Sequence, residues 1–422
     1  MKKKILAYAF VLIMLGLIFC GTKYKKVEVQ PDLPSLFIEI DGGNEAYQSI
    51  VEDATHETGF PGHATIIDVE GKSVTADIKE IRGRGNVTWS APKKPFQIKF
   101  DEKISVLGMK ESKTWILLAS YTDGTALRNA VTYQFAREFG IDYAVESQLA
   151  NVYINDTCMG VYLVTSKVEV GRNRIDIGDG VGDNNDFLLE IDNTIDDYQF
   201  ETDRGYVMKV HSPKLKDMNQ SDAIDKMNSI QSVIDQFEDV LYKDGVTYEE
   251  LSKLIDMDSF AKFYWVQEYF ENYDFMVGSC FLYYTDDLIH MGPVWDMDNT
   301  LNRSYVYADP EEYYSFSNSK LAIRRKADWY GELFKLQEFS DLVDKYFLDN
   351  KALFSTLSEK VDVLANEISN SLENNFDIWT YDQIKEYQGR WVENENNYKD
   401  AIENYKNSLD ARYNFYSREY KD

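Results

Sequence analysis

GPVWDMDNT occupies residues 292–300 and places two carboxylates directly after an apolar segment that is typical of a strand. Asp296 and Asp298 are two residues apart, so both carboxylates can converge on one hard cation. Mg²⁺ needs few protein carboxylates, because water and substrate phosphates complete its octahedral shell. The stretch therefore predicts a metal-binding loop. A polar turn whose carboxylates cap the loop is the alternative.

A further carboxylate lies 22 residues upstream, at Asp274 in the sequence ENYD of residues 271–274. It follows an aromatic-rich segment, 260–269, with a helical pattern, and a hairpin-like segment separates it from Asp296. Helix, carboxylate, hairpin and metal loop follow in this order in protein kinases, where one Asp accepts the proton of the substrate hydroxyl. Taken by itself, Asp274 has the alternative interpretation of an Asp that ends a helix.

The chain around these loops divides into a strand-rich part and a helical part. The segments predicted as strands are Leu36–Ile40, Ala64–Val69, Ala76–Arg82, Pro95–Phe100, Trp115–Ser120, Leu149–Ile154, Gly160–Thr165 and Phe187–Ile191. Apolar residues at fourfold spacing in Thr125–Phe139 predict one helix among them. We expect an α+β protein with a β-rich N-lobe, residues 35–215, that has one main helix. A mainly helical C-lobe, residues 216–422, holds both loops; by pattern alone the likeness to a kinase is an analogy.

A glycine-rich segment with cations, RGRGN at residues 82–86, lies between two predicted strands. Glycines let backbone N–H groups approach an anion, and nearby cations would neutralise phosphate charge. Those cations are Arg82, Arg84, Lys93, Lys94 and Lys99. In the alternating residues 96–100, Lys99 points opposite to Ile98, which makes it the candidate for a strand lysine aimed at phosphate. No Walker-type GK[ST] follows, and a structural turn rich in surface cations is the alternative.

The N-terminus is typical of an export signal. Three lysines precede an apolar run that ends at Cys20, and the run is too short for an ordinary membrane span. We expect residues 1–20 to be a signal peptide with a lipobox, Cys20 to be lipidated, and residues 21–34 to form a tether. An uncleaved signal anchor is the alternative. Either arrangement places the body of the protein outside the cytoplasm.

Composition excludes several classes of protein. The chain is 44% hydrophobic, which requires a sizeable packed core, and its net charge of −27 disfavours binding to nucleic acid or to anionic lipid through a basic face. The same charge would attract basic partners. Beyond Cys20 only Cys158 and Cys280 remain, which cannot form a disulfide framework, and no Cys/His cluster indicates zinc.

Five motifs in order resemble those of the CotH kinase family. They are RGRGNVTW at 82–89, PKKPFQIKF at 92–100, WILLA to D to LRN between 115 and 129, VYIN to GVYL to VEV between 152 and 170, and WDMD at 295–298. Any one motif is weakly specific, whereas five in register are specific. The resemblance runs from about residue 36 to residue 302.

Membership implies an atypical protein-kinase-like two-lobe fold that uses ATP with Mg²⁺ or Mn²⁺, as in spore coat proteins that phosphorylate Ser residues of other coat proteins. It implies that Asp274 is the catalytic Asp, Asp296 a metal ligand and Lys99 a phosphate contact. Residues 188–190, with Leu189 and Glu190, would be the hinge beside adenine. The chain departs from the family at Ser279, where Asn is often the second metal ligand, and at Ser166, where Glu is usual.

We therefore expect an extracytoplasmic Ser/Thr kinase that acts on protein substrates, which are basic and Ser-rich if the acidic surface selects them. Its contact with a membrane would be through the N-terminal lipid or anchor alone. The rival hypothesis is a weakly active or inactive kinase-like scaffold of the cell or spore surface, which the departure at Ser279 favours. A carbohydrate-associated module is suggested only by the aromatic content, which is more often core.

Overall fold

The computed structural model describes residues 31–182, 184–301, 328–388 and 395–420. The predicted signal peptide, the lipidation site Cys20 and residues 21–30 of the predicted tether lie outside the described residues. Among the residues that are described, no helix is both long and apolar enough to cross a membrane.

Seven strands close into a barrel in the order β1-β2-β3-β4-β5-β7-β6. They are β1 (Ser35–Ile40), β2 (Gly59–Ile67), β3 (Ser73–Gly83), β4 (Phe96–Ile104), β5 (Ser112–Leu118), β6 (Ser147–Ile154) and β7 (Thr157–Ser166). Neighbours are antiparallel except at the closure, where β1 pairs in parallel with β6 and Ile38 lies opposite Ile154.

Alternation of side chains fills the barrel with apolar residues. In β4, Phe96, Ile98 and Phe100 are buried while Lys99 is exposed, as the period of two requires. Strands β6 and β7 are instead buried along almost their whole length. A helix from the C-terminal part of the chain, Ser369–Ile378, covers them: Asn375 accepts a hydrogen bond from the Val161 backbone N–H at 3.0 Å.

A second sheet has the order β12-β11-β8-β10-β9 and is antiparallel throughout. Its strands are β8 (Phe187–Ile191), β9 (Gln199–Glu201), β10 (Val207–Ser212), β11 (Cys280–Thr285) and β12 (Leu288–Met291). The predicted hairpin between the two candidate loops is β11–β12. Strand β8 lies in the centre of the sheet, with β11 on one side and β10 on the other.

Helices dominate after residue 219, in agreement with the predicted change of character. The described helices are α1 (Gly43–Glu52), α2 (Arg128–Glu138), α3 (Gln220–Leu241), α4 (Tyr248–Leu251), α5 (Met257–Tyr269), α6 (Trp329–Leu333), α7 (Gln337–Asp349), α8 (Lys351–Ser355), α9 (Leu357–Glu367), α10 (Ser369–Ile378), α11 (Tyr381–Gln388) and α12 (Tyr398–Glu419). Asn219 and Asp256 cap α3 and α5 by accepting backbone N–H groups of their first turns.

The described residues form two compact units. Of the described residues, the first comprises those within 31–126, 146–166 and 363–398, and therefore holds the barrel; the second comprises those within 127–145, 167–362 and 399–420, and holds the second sheet. The mixed α+β class, with a β-rich N-terminal region and a helical C-terminal region, is confirmed. An explicit two-lobe kinase topology is not evident, because the N-terminal strands close into a barrel.

Candidate active site

The predicted catalytic residue, Asp274, lies in a tight turn that follows α5. Helix α5 is buried along nearly its whole length, which fixes the point from which the turn starts. The Asp274 backbone carbonyl accepts hydrogen bonds from the N–H groups of Val277 and Gly278, at 2.9 and 3.0 Å. Its own N–H donates to the side-chain oxygen of Asn272 at 3.1 Å. Asp274 is thus partly buried in a loop with local hydrogen bonds on both sides of it.

The predicted metal ligand Asp296 follows β12 and is held through its backbone. The Asp296 N–H donates to the hydroxyl of Tyr133 at 3.1 Å, and the Met297 N–H donates to the side-chain oxygen of Asn129 at 2.7 Å. Both acceptors lie on α2. That helix therefore sets the position of the segment that carries Asp296 and Asp298.

Arg128, the first residue of α2, holds the end of the same segment. Its guanidinium is fully buried and donates to the backbone carbonyls of Thr300 and Leu301, at 3.2 and 3.3 Å. A buried guanidinium with carbonyl acceptors keeps its hydrogen bonds where water is excluded. The LRN motif at 127–129 thus has a physical reason, since its Arg and Asn both anchor the segment after β12.

The two loops meet through side-chain hydrogen bonds. The Asn299 amide donates to Oδ2 of Asp274 at 2.9 Å, and the Ser279 hydroxyl donates to Oδ2 of Asp296 at 3.0 Å. The structure therefore brings the loops that carry Asp274, Ser279 and Asp296 together, and the catalytic and metal-binding roles of these residues stay predictions. Asn299 is an additional member of the site, which lies in the motif at 292–300 and for which the sequence indicated no role.

Five residues of these loops that are not glycine have left-handed backbone conformations. Their φ angles lie between 38° and 60°, and they are Glu271, Met276, Ser279, Asp296 and Leu301. Such conformations cost energy in residues other than glycine and concentrate at functional sites, where surrounding contacts maintain them. The cluster is consistent with two loops that are held for a chemical purpose.

The donor set suits a hard divalent cation that also binds phosphate. Asp296 and Asp298 supply carboxylates, and the Ser279 hydroxyl supplies a further oxygen. Within the described ranges, no group of three or more His, Cys, Asp or Glu side chains could hold a metal by itself. Two carboxylates are sufficient for Mg²⁺ only when other oxygens complete its shell, as the phosphates of a nucleotide do.

The predicted phosphate loop lies in the first unit, at the end of β3. Arg82 donates to the backbone carbonyl of His56 at 3.0 Å and lies 3.5 Å from the Glu80 carboxylate. Gly83 lies against the Trp89 ring, where an added Cβ would be 2.4 Å from ring atom Cη2. This glycine is therefore required for packing. A role of Arg82 and Arg84 in binding phosphate stays a prediction.

Lys93 is buried, although the sequence indicated one of several surface cations. Its side chain is 1% exposed and donates to the Val161 carbonyl and to Oδ1 of Asn375, the latter at 2.9 Å. Its ammonium also lies over the Tyr162 ring. Burial lowers the pKa of this amine to about 7. Lys93 is a structural residue, so its expected contact with phosphate is wrong.

Lys99 lies on the exposed outer face of β4, opposite in direction to Ile98. It belongs to the first unit, whereas Asp274 and Asp296 belong to the second. The predicted direction relative to Ile98 is therefore confirmed, and its contact with phosphate stays a prediction.

The predicted hinge residues Leu189 and Glu190 lie in β8, the central strand of the second sheet. Leu189 is fully buried, and its backbone is opposite Leu282 on one side and Val210 on the other. The Glu190 carboxylate is 2.7 Å from Nε2 of His211. Because both edges of β8 are paired, a ligand would reach these residues through side chains, and the contact with adenine stays a prediction.

A family model described as CotH kinase protein matches residues 81–416. The match includes the barrel strand with Lys99, both loops of the candidate site and the C-terminal helices. No curated protein matches the chain.

Proposed function

The chain belongs to the CotH kinase family, and on this premise we propose that it is an extracytoplasmic protein kinase with the atypical two-lobe fold. It transfers the γ-phosphate of ATP to Ser or Thr hydroxyls of surface or spore-coat proteins. The observation that carries the proposal is the meeting of the two loops, in which Asn299 contacts Asp274 and Ser279 contacts Asp296.

In this mechanism Asp274 accepts the proton of the substrate hydroxyl. The hydroxyl oxygen forms a bond to the γ-phosphorus, the bond from that phosphorus to the β–γ bridging oxygen breaks, and ADP leaves with that oxygen. The hydrogen bond from Asn299 fixes the orientation of the Asp274 carboxylate. Phosphoryl transfer depends mainly on positioning and charge neutralisation, so this small set of groups is sufficient.

A divalent cation, Mg²⁺ or Mn²⁺, fits the oxygen donors of the second loop. Asp296 and Asp298 would hold it, with Ser279 as a further oxygen ligand. When bound, the cation neutralises negative charge on the phosphates. The contact of Asn299 with Asp274 supports this assignment, because it joins the loop with these oxygen donors to the loop with the proposed proton acceptor.

The contacts with the nucleotide are proposed residue by residue. Lys99, Arg82 and Arg84 are proposed to contact the phosphates, and Leu189 and Glu190 to lie beside adenine. This assignment rests on the family motifs. It would fail if substitution of Lys99 by Met left the Michaelis constant for ATP unchanged.

The protein substrate is proposed to be basic and rich in Ser, because the net charge of −27 attracts cationic chains. Two Ser-containing peptides that differ only in Lys versus Glu at flanking positions test this idea at low and high salt. Equal rates for the two peptides at low salt would contradict it.

Export and attachment through a lipid on Cys20 are proposed from the N-terminal sequence. Membership of the family suggests spore-coat association in addition. Metabolic labelling with a fatty acid, with Cys20→Ala beside it, tests the lipid. Equal labelling of both proteins would exclude Cys20 as the site.

A second candidate is a kinase-like scaffold with no turnover, which Ser279 in the position of the usual Asn favours. The Ser279 hydroxyl nevertheless contacts Asp296, so an oxygen ligand is retained at that place. Substitution Ser279→Asn separates the two candidates. Activity that appears only in this variant would favour the scaffold for the natural chain.

Phosphorylation by the purified full-length chain, with labelled ATP and either Mg²⁺ or Mn²⁺, tests the proposed function. Asp274→Ala and Asp296→Ala should both abolish transfer. The matched control is Asp225→Ala, because Asp225 is an exposed carboxylate on α3. Transfer that survives in either site variant, or is absent from the wild type with basic Ser-containing substrates, would refute the assignment.

A further inference from the structure

The C-terminal helix α12 carries a buried face that contains an arginine. Tyr405, Leu409, Arg412 and Tyr416 are each at most 2% exposed and follow one another at helical spacing. An arginine that is buried so completely is rare unless carboxylates or carbonyls satisfy its five donors. Its partners therefore show what this face of the helix holds.

Arg412 forms ion pairs and hydrogen bonds with the end of α5, where the Asp274 turn begins. Its guanidinium lies 2.9 Å from Oε1 of Glu271 and 3.1 Å from Oε1 of Glu268, and both carboxylates are buried. It also donates to the backbone carbonyls of Glu268 and Tyr269. Tyr416 completes the network through a hydrogen bond to Glu268 at 2.8 Å. Glu271 stands three residues before Asp274 and has a φ of 47°.

The same face of α12 reaches the other loop through Arg128. The Tyr405 ring lies 4.7 Å from the Arg128 guanidinium, which in turn holds the carbonyls of Thr300 and Leu301. One helix therefore contacts the anchors of both loops that bear the candidate reacting groups.

We infer that residues 399–420 are a positioning element and that Arg412 is a positioning residue for the Asp274 loop. The planar fork of Arg412 satisfies two carboxylates and two carbonyls at once, which an ammonium group cannot do. The catalytic part of this inference rests on the proposed kinase function; the structural part does not.

The alternative is that Arg412 only adds stability to the second unit. Full-length variants Arg412→Lys and Tyr416→Phe, with Ile234→Ala as control, distinguish the two. Ile234 is fully buried on α3 in the same unit and belongs to neither loop. All proteins are compared well below their unfolding temperatures, so that loss of folded protein does not contribute.

Two readouts are measured. Amide hydrogen exchange of residues 270–280 and 296–301 should be faster in Arg412→Lys than in the control, because the anchors of those loops are loosened. The kcat for phosphoryl transfer should fall about 10- to 100-fold, because small misplacements of reacting groups lower the rate by such factors. The KM for ATP should change less than kcat does, because the contacts of Arg412 given above are with Glu268, Tyr269, Glu271 and Tyr416, none of which is proposed to contact ATP.

Exchange in these segments that is the same in Arg412→Lys, Tyr416→Phe and Ile234→Ala would overturn the inference. A kcat for Arg412→Lys equal to that of the control would overturn its catalytic part. If the wild type shows no transfer, the proposed function fails, and the exchange measurement alone decides whether α12 positions the loops.

Discussion

Substitution of Lys93 by Met should change how the stability of the protein depends on pH. The Lys93 amine is 1% exposed and contacts the Val161 carbonyl, Oδ1 of Asn375 and the Tyr162 ring. None of these partners carries a negative charge that would favour the ammonium form. Met has a similar length and no titrating group, so it removes the amine while it largely fills the space.

The sign and size of this pH dependence follow from the difference in proton binding between the folded and unfolded states. Burial lowers the pKa of Lys93 from 10.5 to about 7 in the folded protein. Between these values the unfolded chain holds a proton that the folded chain lacks, so the free energy of unfolding rises with pH. The rise is about 1.4 kcal/mol per pH unit, and about 5 kcal/mol over the whole window. Below pH 7 both states are protonated and the cost of burying the charge is present in full.

Urea unfolding of wild type and Lys93→Met at pH values from 6 to 10 measures this difference. Titrating groups other than Cys158, whose charge interacts with that of Lys93, contribute equally to both proteins and cancel. The free energy of unfolding of the wild type should rise relative to that of the variant as the pH rises above 7, and the difference between them should change little between pH 6 and 7. A difference that stays constant from pH 6 to 10 would refute the reasoning, since the amine would then have an ordinary pKa in the folded state.

Three further predictions concern single contacts. Asn299→Ala removes the hydrogen bond to the Asp274 carboxylate and should lower kcat about 10- to 100-fold in steady-state assays. Asn299→Ser, which keeps a donor, is the comparison. A kcat that is unchanged in Asn299→Ala would contradict the positioning role. Gly83→Ala brings a Cβ against the Trp89 ring and should cost about 1–3 kcal/mol, so an unchanged melting temperature would show that the loop relaxes freely. Asp32→Ala removes the acceptor of two backbone N–H groups in the first turn of α10 and should cost about 1 kcal/mol in thermal unfolding. Equal losses in Asp32→Ala and Asp32→Asn would argue against capping.

Much of the candidate site could be predicted from local sequence. The succession of helix, Asp274, hairpin and Asp296 follows from local patterns, because helices, turns and hairpins are short-range structures. The place of Ser279 in this set came instead from the resemblance to the family. Asn299 stood in the same motif, but nothing local shows that its amide reaches Asp274. The role of Arg128 and Asn129 needed the contact between α2 and the segment after β12.

The sequence by itself determined strands β1 to β8, the hairpin β11–β12 and the helix-rich C-terminal region, but not β9 and β10. It also determined which side chains of β4 are buried and which are exposed, because alternation depends only on neighbouring residues. Barrel closure was decided by tertiary structure, since β1 and β6 pair across a long stretch of chain. Tertiary structure also decided the burial of Lys93. Its sequence, with lysines nearby, is typical of a surface cation, but α10 covers β7 and Asn375 accepts its hydrogen bond. The same holds for Arg412, because its partners Glu268 and Glu271 lie on α5 and directly after it, far away in sequence. Periodicity specifies which face of an element is buried, whereas only packing specifies what lies against that face.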